Sequence, residues 1–426
     1  MRLGFAKHVS CAPGRLATRG PRNTAGRPIV WRRAKGTNIF QPISAGIVAA
    51  ITGFATSFAL VIAGLRAVGA TDVQAASGLF ALCLAVGLTC IVLGFWLRIP
   101  ISFAWSTPGA ALLVSAGAGT ARVEFASAVG AFIVCALLIV LCGLWPALGR
   151  LITRIPKPIA SAMLAGILFH ICLAPAQAVF SDIWYLALPI VLVWLVLFRL
   201  APRWAVPAAM VVAIVMIAIA ARPGWLDGAS FAPQLTVVPP QFDLAIVSIG
   251  IPLFIVTMAG QNVPGIVVMK TFEYEVPPRA ALVASGIATG GTALFGGHVI
   301  NLAAITAAIM ASPEAHPDKE KRWVASFSAG WVYLVLGLGA GISTALVAAA
   351  PTILILAVAG LAVLGTLATS ISGALEAPEH RIAAILTFVV VASQVKPFGI
   401  GSAFWGLLVG GIVMLWLSWR RGTPDK

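Results

Sequence analysis

Residues 293–310 read Ala-Leu-Phe-Gly-Gly-His-Val-Ile-Asn-Leu-Ala-Ala-Ile-Thr-Ala-Ala-Ile-Met, and residues 98–113 read Arg-Ile-Pro-Ile-Ser-Phe-Ala-Trp-Ser-Thr-Pro-Gly-Ala-Ala-Leu-Leu. Each is a short extended stretch with an aromatic residue that opens into a helix, set in a chain that is otherwise almost pure hydrocarbon. In a bilayer, irregular backbone and polar side chains are costly, and they survive where they line a protein interior or a functional site.

The 426 residues are 60% hydrophobic and 10% charged, with a mean hydropathy of +1.01. The apolar residues fall in runs about 20 long, the length of a membrane helix. This composition predicts an all-α polytopic membrane protein. Breaks at charges, Pro and Gly delimit fourteen transmembrane segments: 43–65, 74–97, 100–118, 124–146, 157–176, 184–199, 204–221, 244–269, 279–294, 296–311, 324–349, 352–373, 381–395 and 401–419.

Charge supports the count, because loops facing the cytoplasm are rich in Lys and Arg. With the N-terminus inside, fourteen crossings put 24 basic residues on the cytoplasmic side and leave only Arg66, Arg122, Arg222 and Lys396 outside. One missed segment would invert every later loop, so both termini are expected in the cytoplasm.

The net charge of +15 is mostly this asymmetry plus a basic tail. It points to anionic lipid and not to nucleic acid. Residues 1–36 hold nine Lys and Arg, no acid and many Gly and Pro, and are expected to be disordered. Arg32 and Arg33 resemble a twin-arginine signal, but the apolar run that follows is too long for one. Five of the six cysteines, Cys83, Cys90, Cys135, Cys142 and Cys172, fall in apolar segments. None makes a metal or disulfide pattern, so they read as packing residues and no metal or cofactor is expected.

All 13 acidic residues lie in loops or at segment ends. No carboxylate is placed at mid-depth, which leaves His170 and His298 as the ionisable side chains with a pKa near neutral within spans. His170 reads as a hydrogen-bonded packing residue; His298, beside Gly296, Gly297 and Asn301, reads as functional.

Segments 3 and 10 are seven apart, an odd number, so equivalent elements run through the membrane in opposite senses. That is the arithmetic of a seven-plus-seven inverted repeat. Thr107 before Pro108 reads as an N-cap followed by Pro at the first helical position, and Gly296 and Gly297 would let backbone amides approach a ligand. Two such helix starts meeting at the bilayer centre offer unpaired N–H groups and about +0.5 charge each, enough to balance one anion without Lys or Arg. Ser106, Thr107, Gly109, Gln261, Asn262, Gly296, Gly297, His298 and Asn301 are the candidate polar contacts. Phe54, Phe58, Phe103, Trp105 and Phe295 would wall an apolar ligand body, so an aromatic carboxylate is the expected substrate.

Five stretches carry a resemblance. They are Gln41–Ala55, residues 104–112 (Ala-Trp-Ser-Thr-Pro-Gly-Ala-Ala-Leu), Thr257–Gly265 (Thr-Met-Ala-Gly-Gln-Asn-Val-Pro-Gly), Phe295–Ala307 and Ala377–Arg381 (Ala-Pro-Glu-His-Arg). In this order, across residues 38–420, the chain resembles the benzoate:proton symporter family, BenE. The resemblance implies the fold shared with nucleobase–ascorbate and sulfate (SulP) transporters. It implies a core domain from 37–150 (segments 1–4) and 244–349 (segments 8–11), a gate domain from 151–243 (segments 5–7) and 350–420 (segments 12–14), and a cytoplasmic tail 421–426. Substrate would lie between half-helices 3 and 10, flanked by segments 1 and 8, in a bacterial inner membrane.

The nucleobase branch uses a glutamate in segment 8, where this chain has Gln261 and Asn262. That departure, with no buried acid available, makes His298 the expected proton-coupling residue. The positive helix ends should disfavour a charged imidazole in the empty site and a bound carboxylate should favour it, so protonation and substrate binding should strengthen each other. The pairs Gly286/Gly290, Gly337/Gly341 and Gly406/Gly410 allow close helix contact, within the chain or in a homodimer. Other readings are a carrier for a nucleobase or another small anion, an anion channel, or a membrane enzyme. The last lacks any nucleophile–base pair, and the loop holding Glu314, His316, Asp318 and Glu320 reads as a solvated connection.

Overall fold

The computed structural model describes residues 39–117, 124–145, 147, 156–220 and 234–419. The expected tails 1–36 and 421–426 and the boundary at 150/151 lie outside the described residues.

Helical elements occur at each of the fourteen expected stretches. Segment 1 is α1 (Phe40–Ala55) and α2 (Phe58–Ala67), broken where Thr56 and Ser57 turn their hydroxyls back on the carbonyls of Thr52 and Gly53 at 2.8 and 2.9 Å. Such back-bonding competes with the helical ladder and bends it. The next segments are α3 (Asp72–Leu97), strand β1 (Phe103–Trp105) with half-helix α4 (Thr107–Gly117), and α5 (Phe125–Leu144). They are followed by α6 (Lys157–Val179), α7 (Trp184–Leu200) and α8 (Pro202–Ala220).

Segment 8 is α9 (Ile251–Thr257) and α10 (Val263–Thr271), with π-helical turns at Ile246–Gly250 and Met258–Asn262. Then come α11 (Pro278–Ala293), strand β2 (Ile300–Leu302) with half-helix α12 (Ala304–Ala311), and α13 (Trp323–Leu338) and α14 (Ala340–Ala349), which bend by 56° at Gly339. The chain closes with α15 (Thr352–Leu375), α16 (Arg381–Ala392) and α17 (Ser402–Trp419). Among the described residues six helical runs are long and apolar enough to cross a bilayer, and a seventh if the bent pair is one span. The others are shorter or interrupted.

Local chemistry explains several ends. A Thr71/Gln74 capping box starts α3, each side chain bonding the other residue's backbone N–H. Arg98 ends it in the left-handed region at φ 56°, its guanidinium over the rings of Phe95 and Trp323 at 4.5 and 4.3 Å. His170 Nε2 bonds the Ala392 carbonyl at 2.6 Å, the packing role expected of it.

The helices pack mainly within two sets. One joins α1 through α5 with α9 through α14; the other joins α6, α7, α8, α15, α16 and α17. Close approach inside the first set rests on small residues: a Cβ on Gly87 would strike the Gly330 backbone, and one on Gly330 the Gly87 carbonyl. Gly286 faces Ala136 and Val140, Gly337 faces Cys83, and Gly406 and Gly410 face Thr387 and Val391, so these glycines are used between helices of one chain.

Candidate substrate site between two half-helices

β1 and β2 pair antiparallel in the register Phe103 to Leu302, Ala104 to Asn301 and Trp105 to Ile300. Ser106 N donates to Val299 O at 2.9 Å and Ala303 N to Ser102 O at 3.0 Å, extending the ladder at both ends. Ala104 and Asn301 each stand three residues before a half-helix start, and they face each other. The two antiparallel strands thus lead from one shared rung into the two half-helices.

A two-stranded sheet in hydrocarbon has two open edges that must be paired. Side chains do this here. On β2, Ile300 N donates to Thr289 Oγ1 at 3.0 Å, Ser285 Oγ donates to Ile300 O at 2.6 Å, and Leu302 N donates to Asn262 Oδ1 at 2.9 Å. On β1, Phe103 N donates to Cys90 Sγ at 3.4 Å, and Ser326 Oγ donates to the Ile101 carbonyl just before the strand. Cys90 thus does more than fill space. Ser285, Thr289 and Ser326 are small polar residues in apolar helices, and nothing in the chain marks which hydroxyl will face a strand edge.

The helix starts differ from expectation. Ser106, and not Thr107, caps α4: its Oγ accepts from Gly109 N at 3.0 Å, and Thr257 Oγ1 of segment 8 donates to it at 3.3 Å. Thr107 is the first helical residue and half-buried. At α12 the cap is Ala303, which has no side chain to accept from the first turn. Neither strand nor half-helix carries Lys or Arg.

Gly296 and Gly297 close α11 instead of opening α12. Gly296 N donates to Ala293 O at 2.9 Å and Gly297 N to Thr292 O at 2.8 Å, so both amides are spent on the preceding helix. Gly296 sits at φ 85° with its carbonyl against Gly78, where a side chain on Gly78 would strike it; a side chain on Gly296 would be strained by its φ and would meet Gln74 O and the Phe125 ring. Phe295 belongs to the same turn, its carbonyl accepting from Ser77 Oγ at 2.8 Å. His298 consequently lies six residues before the α12 start, fully buried, with Nδ1 at 3.1 Å from Val299 O and Nε2 without a partner. Val299 O is the same carbonyl that accepts from Ser106 N, so the imidazole is one rung from the α4 cap.

Asn301 is buried with both amide atoms unpaired. Alternation along a strand puts it on one face with Ala104, the half-buried residue of β1, and puts Phe103, Trp105, Ile300 and Leu302 on the other. On that other face Trp105 Nε1 donates to Ser57 Oγ at 2.8 Å, and its ring meets Phe54 and Tyr333 edge-on at 5.8 Å. Phe54 stacks on Phe58 at 5.0 Å. Tyr333 was not expected; its hydroxyl has no partner and lies against Gly53. Phe103 is fully buried and stands apart from this cluster as packing.

On the far side, segment 8 carries Gln261 and Asn262 on a π-turn, a distortion that recurs at functional sites. Gln261 is half-buried; Asn262 is buried, donating from Nδ2 to Met258 Sδ at 3.3 Å and holding Leu302. A crevice of about 580 Å³ runs along this segment from Val256 to Val267, with Ala160, Ser161 and Leu164 of α6 and Thr366, Thr369 and Ser370 of α15 opposite. It spans the levels of Thr257, which meets the α4 cap, and of Asn262, which meets β2.

Residues 38–416 match the family described as benzoate membrane transport protein. The chain belongs to this family. Its relatives include the inner membrane protein YdcO of Escherichia coli, 43% identical over 376 residues, covering 88% of this chain and 95% of the relative. A benzoate membrane transport protein of Acinetobacter baylyi is 31% identical over 336 residues, covering 78% and 84%. Among solved structures, the transmembrane domain of the cyanobacterial bicarbonate transporter BicA aligns with TM-score 0.54 at 16% identity, over 87% of this chain and 98% of that one. The murine Solute Carrier 26 family member A9 aligns with TM-score 0.54 at 15% identity, over 90% and 69%. This benzoate-transport family member therefore has the Solute Carrier 26 type of fold.

The support role of Asn262 in this family member is open to direct test. Asn262→Leu leaves the Leu302 N–H unpaired in an apolar setting, a loss of about 1–3 kcal/mol. The expected result is a clear fall in Tm of the detergent-purified protein, with Asn262→Asp, which keeps the acceptor, losing less. Equal Tm in Asn262→Leu and parent would remove the residue from the sheet's support.

Proposed function

We propose that this protein carries benzoate or a related aromatic carboxylate into the cell together with a proton, across the bacterial inner membrane. The observation that carries the reading is the crossing itself: two half-helices start side by side, with no basic side chain at either start and an unpaired amide on the rung between them. Oriented N–H groups and dipoles of that kind suit one negative charge. The family membership, and the name of the Acinetobacter relative, favour benzoate as the anion.

In this reading the chain crosses the membrane fourteen times as a seven-plus-seven inverted repeat, with both termini cytoplasmic as the Lys and Arg distribution favours. The first helix set is the core and the second the gate, and the crevice along segment 8 is the path to the cytoplasm. The carboxylate is held by the first turns of α4 and α12 and by Asn301, with Thr107 and Gln261 at the rim. Phe54, Phe58 and Trp105 pack the opposite face of the sheet and hold it from behind. Ser106, Gly109 and Asn262 position these groups, while Phe103, Gly296 and Gly297 hold the crossing from behind.

His298 couples the proton through Val299 and the Ser106 rung without touching substrate. Coupling has an energetic reason. Benzoate, with a pKa near that of a glutamate side chain, is neutral in only roughly one molecule in 500 at pH 7. Entry of the lone anion into a negative interior costs about 2.3 kcal/mol per 100 mV, and one proton cancels that charge.

The test is uptake of radiolabelled benzoate into proteoliposomes under an inward pH gradient, with a protonophore and with unlabelled aromatic, aliphatic and nucleobase competitors. Accumulation that the protonophore abolishes and only aromatic acids compete is the expected result. Competition by nucleobases or inorganic anions would overturn the substrate, and voltage-driven flux without saturation would make the protein a channel.

A further inference from the structure

A cationic side chain caps a carbonyl at the end of each half-helix. At the end of α12, Ala311 O accepts from Arg322 Nη1 at 2.7 Å, while Arg322 Nε donates to His316 O at 2.6 Å. Arg322 is buried and immediately precedes α13, in the same helix set as α12, so this cap is made within one set. At the end of α4, Ala116 O accepts from Lys396 Nζ at 2.6 Å. Lys396 lies in the turn between α16 and α17, in the other set.

The need for a cation there is local. Gly117, at the end of α4, lies against the carbonyl of Ala67 at the end of α2, so two negative helix ends converge. Arg66, in the last turn of α2, is committed to Asp72 at 3.0 Å. The turn that delivers Lys396 has Gln394 and Phe398 in the left-handed region, at φ 54° and 55°, followed by Gly399 at 77°. Non-glycine residues hold such conformations where the surrounding structure requires them. Burial also holds Lys396 below the usual lysine pKa, as expected of an ammonium drawn out of water.

The opposite end of the interface is open. α6 begins at Lys157, which pairs with Glu376 beyond the end of α15 beside the crevice, whereas farther along the same helix His170 reaches Ala392, next to the Lys396 turn. We propose that Lys396 is a latch between core and gate: by capping half-helix α4 from the gate it seals the end away from the crevice, and it must let go when the two helix sets separate there. This rests on the core and gate reading above. The equivalent cap on α12 stays within its set, so only the α4 cap is made and broken in the transport cycle.

The experiment needs no substrate. Ala160→Cys, in the crevice lining, is introduced into the full-length chain, and its rate of modification by a membrane-impermeant maleimide is measured in inside-out vesicles, with the chain lacking that cysteine as background. Lys396→Met should slow modification by roughly two- to thirtyfold, the range that a cation at a helix C-terminus spans, as the crevice closes in more of the population. Lys396→Gln should do the same and serves where Lys396→Met does not reach the membrane; Lys396→Arg, which keeps the charge and donor, should match the parent. Unchanged rates in the neutral variants, or an equal fall in Lys396→Arg, would overturn the latch. Failure of aromatic acid uptake would leave these rates readable, and normal uptake with unchanged rates would reject the latch alone.

Discussion

Asn301→Leu should cut uptake by one to two orders of magnitude while leaving the protein as stable as the parent or more so. Both amide atoms of Asn301 are buried without a partner, a condition that costs about 1–3 kcal/mol, and leucine fills nearly the same volume with nothing to satisfy. In the proposed reading its partner is the substrate carboxylate. A hydrogen bond to a charged carboxylate contributes about 1.5–3 kcal/mol, so initial uptake at low substrate should fall by roughly 10- to 150-fold. Tm in detergent and initial uptake rate are measured on the same preparation. A lower Tm with uptake near that of the parent would make Asn301 a structural residue.

His298→Gln should flatten the pH dependence of substrate binding. The parent should bind benzoate more tightly as the pH falls. The gain between the two charge states should be about 5- to 150-fold, the usual size of a coupling between two sites. The sign follows from charge: a protonated imidazole behind the crossing adds a positive charge to a site that holds an anion, so proton and substrate each favour the other. Glutamine keeps a donor toward Val299 O and cannot titrate. A merely structural role would lower affinity at every pH by one factor and leave the slope unchanged; a mutant with the parent's slope would take the proton away from His298.

The crossing was legible in part. The two extended stretches before half-helices, their separation by seven segments and the family resemblance all follow from residue order, because hydrophobic run length, Pro108 and the spacing of polar residues are local signals. The aromatic pair Phe54 and Phe58 with Trp105 was also legible as a group, and the structure brings these three together. The exact helix starts were not. Ser106 and Thr107 are both good caps, and only the approach of Thr257 from segment 8 and the rung to Val299 decide that the serine takes the role. The glycine pair was misread for a similar reason: Gly-Gly can open one helix or close another, and Gly296 and Gly297 close α11 because Gly78 and Leu82 of α3 pack against them.

By itself the order of residues determined the membrane class, the run of helical segments and the two interrupted ones, since each is a matter of transfer energy and local backbone chemistry. Only the tertiary structure decided which polar groups serve which edge: Cys90, Ser285, Thr289, Asn262 and Ser326 around the strands, Asn301 left unpaired, and Lys396 at the end of α4. In hydrocarbon every backbone donor and acceptor needs a partner, and that partner can come from a helix more than 200 residues away, as Ser326 does for Ile101. Periodicity carries no record of such pairings, because in a helix apolar on all sides a serine looks the same whichever way it faces.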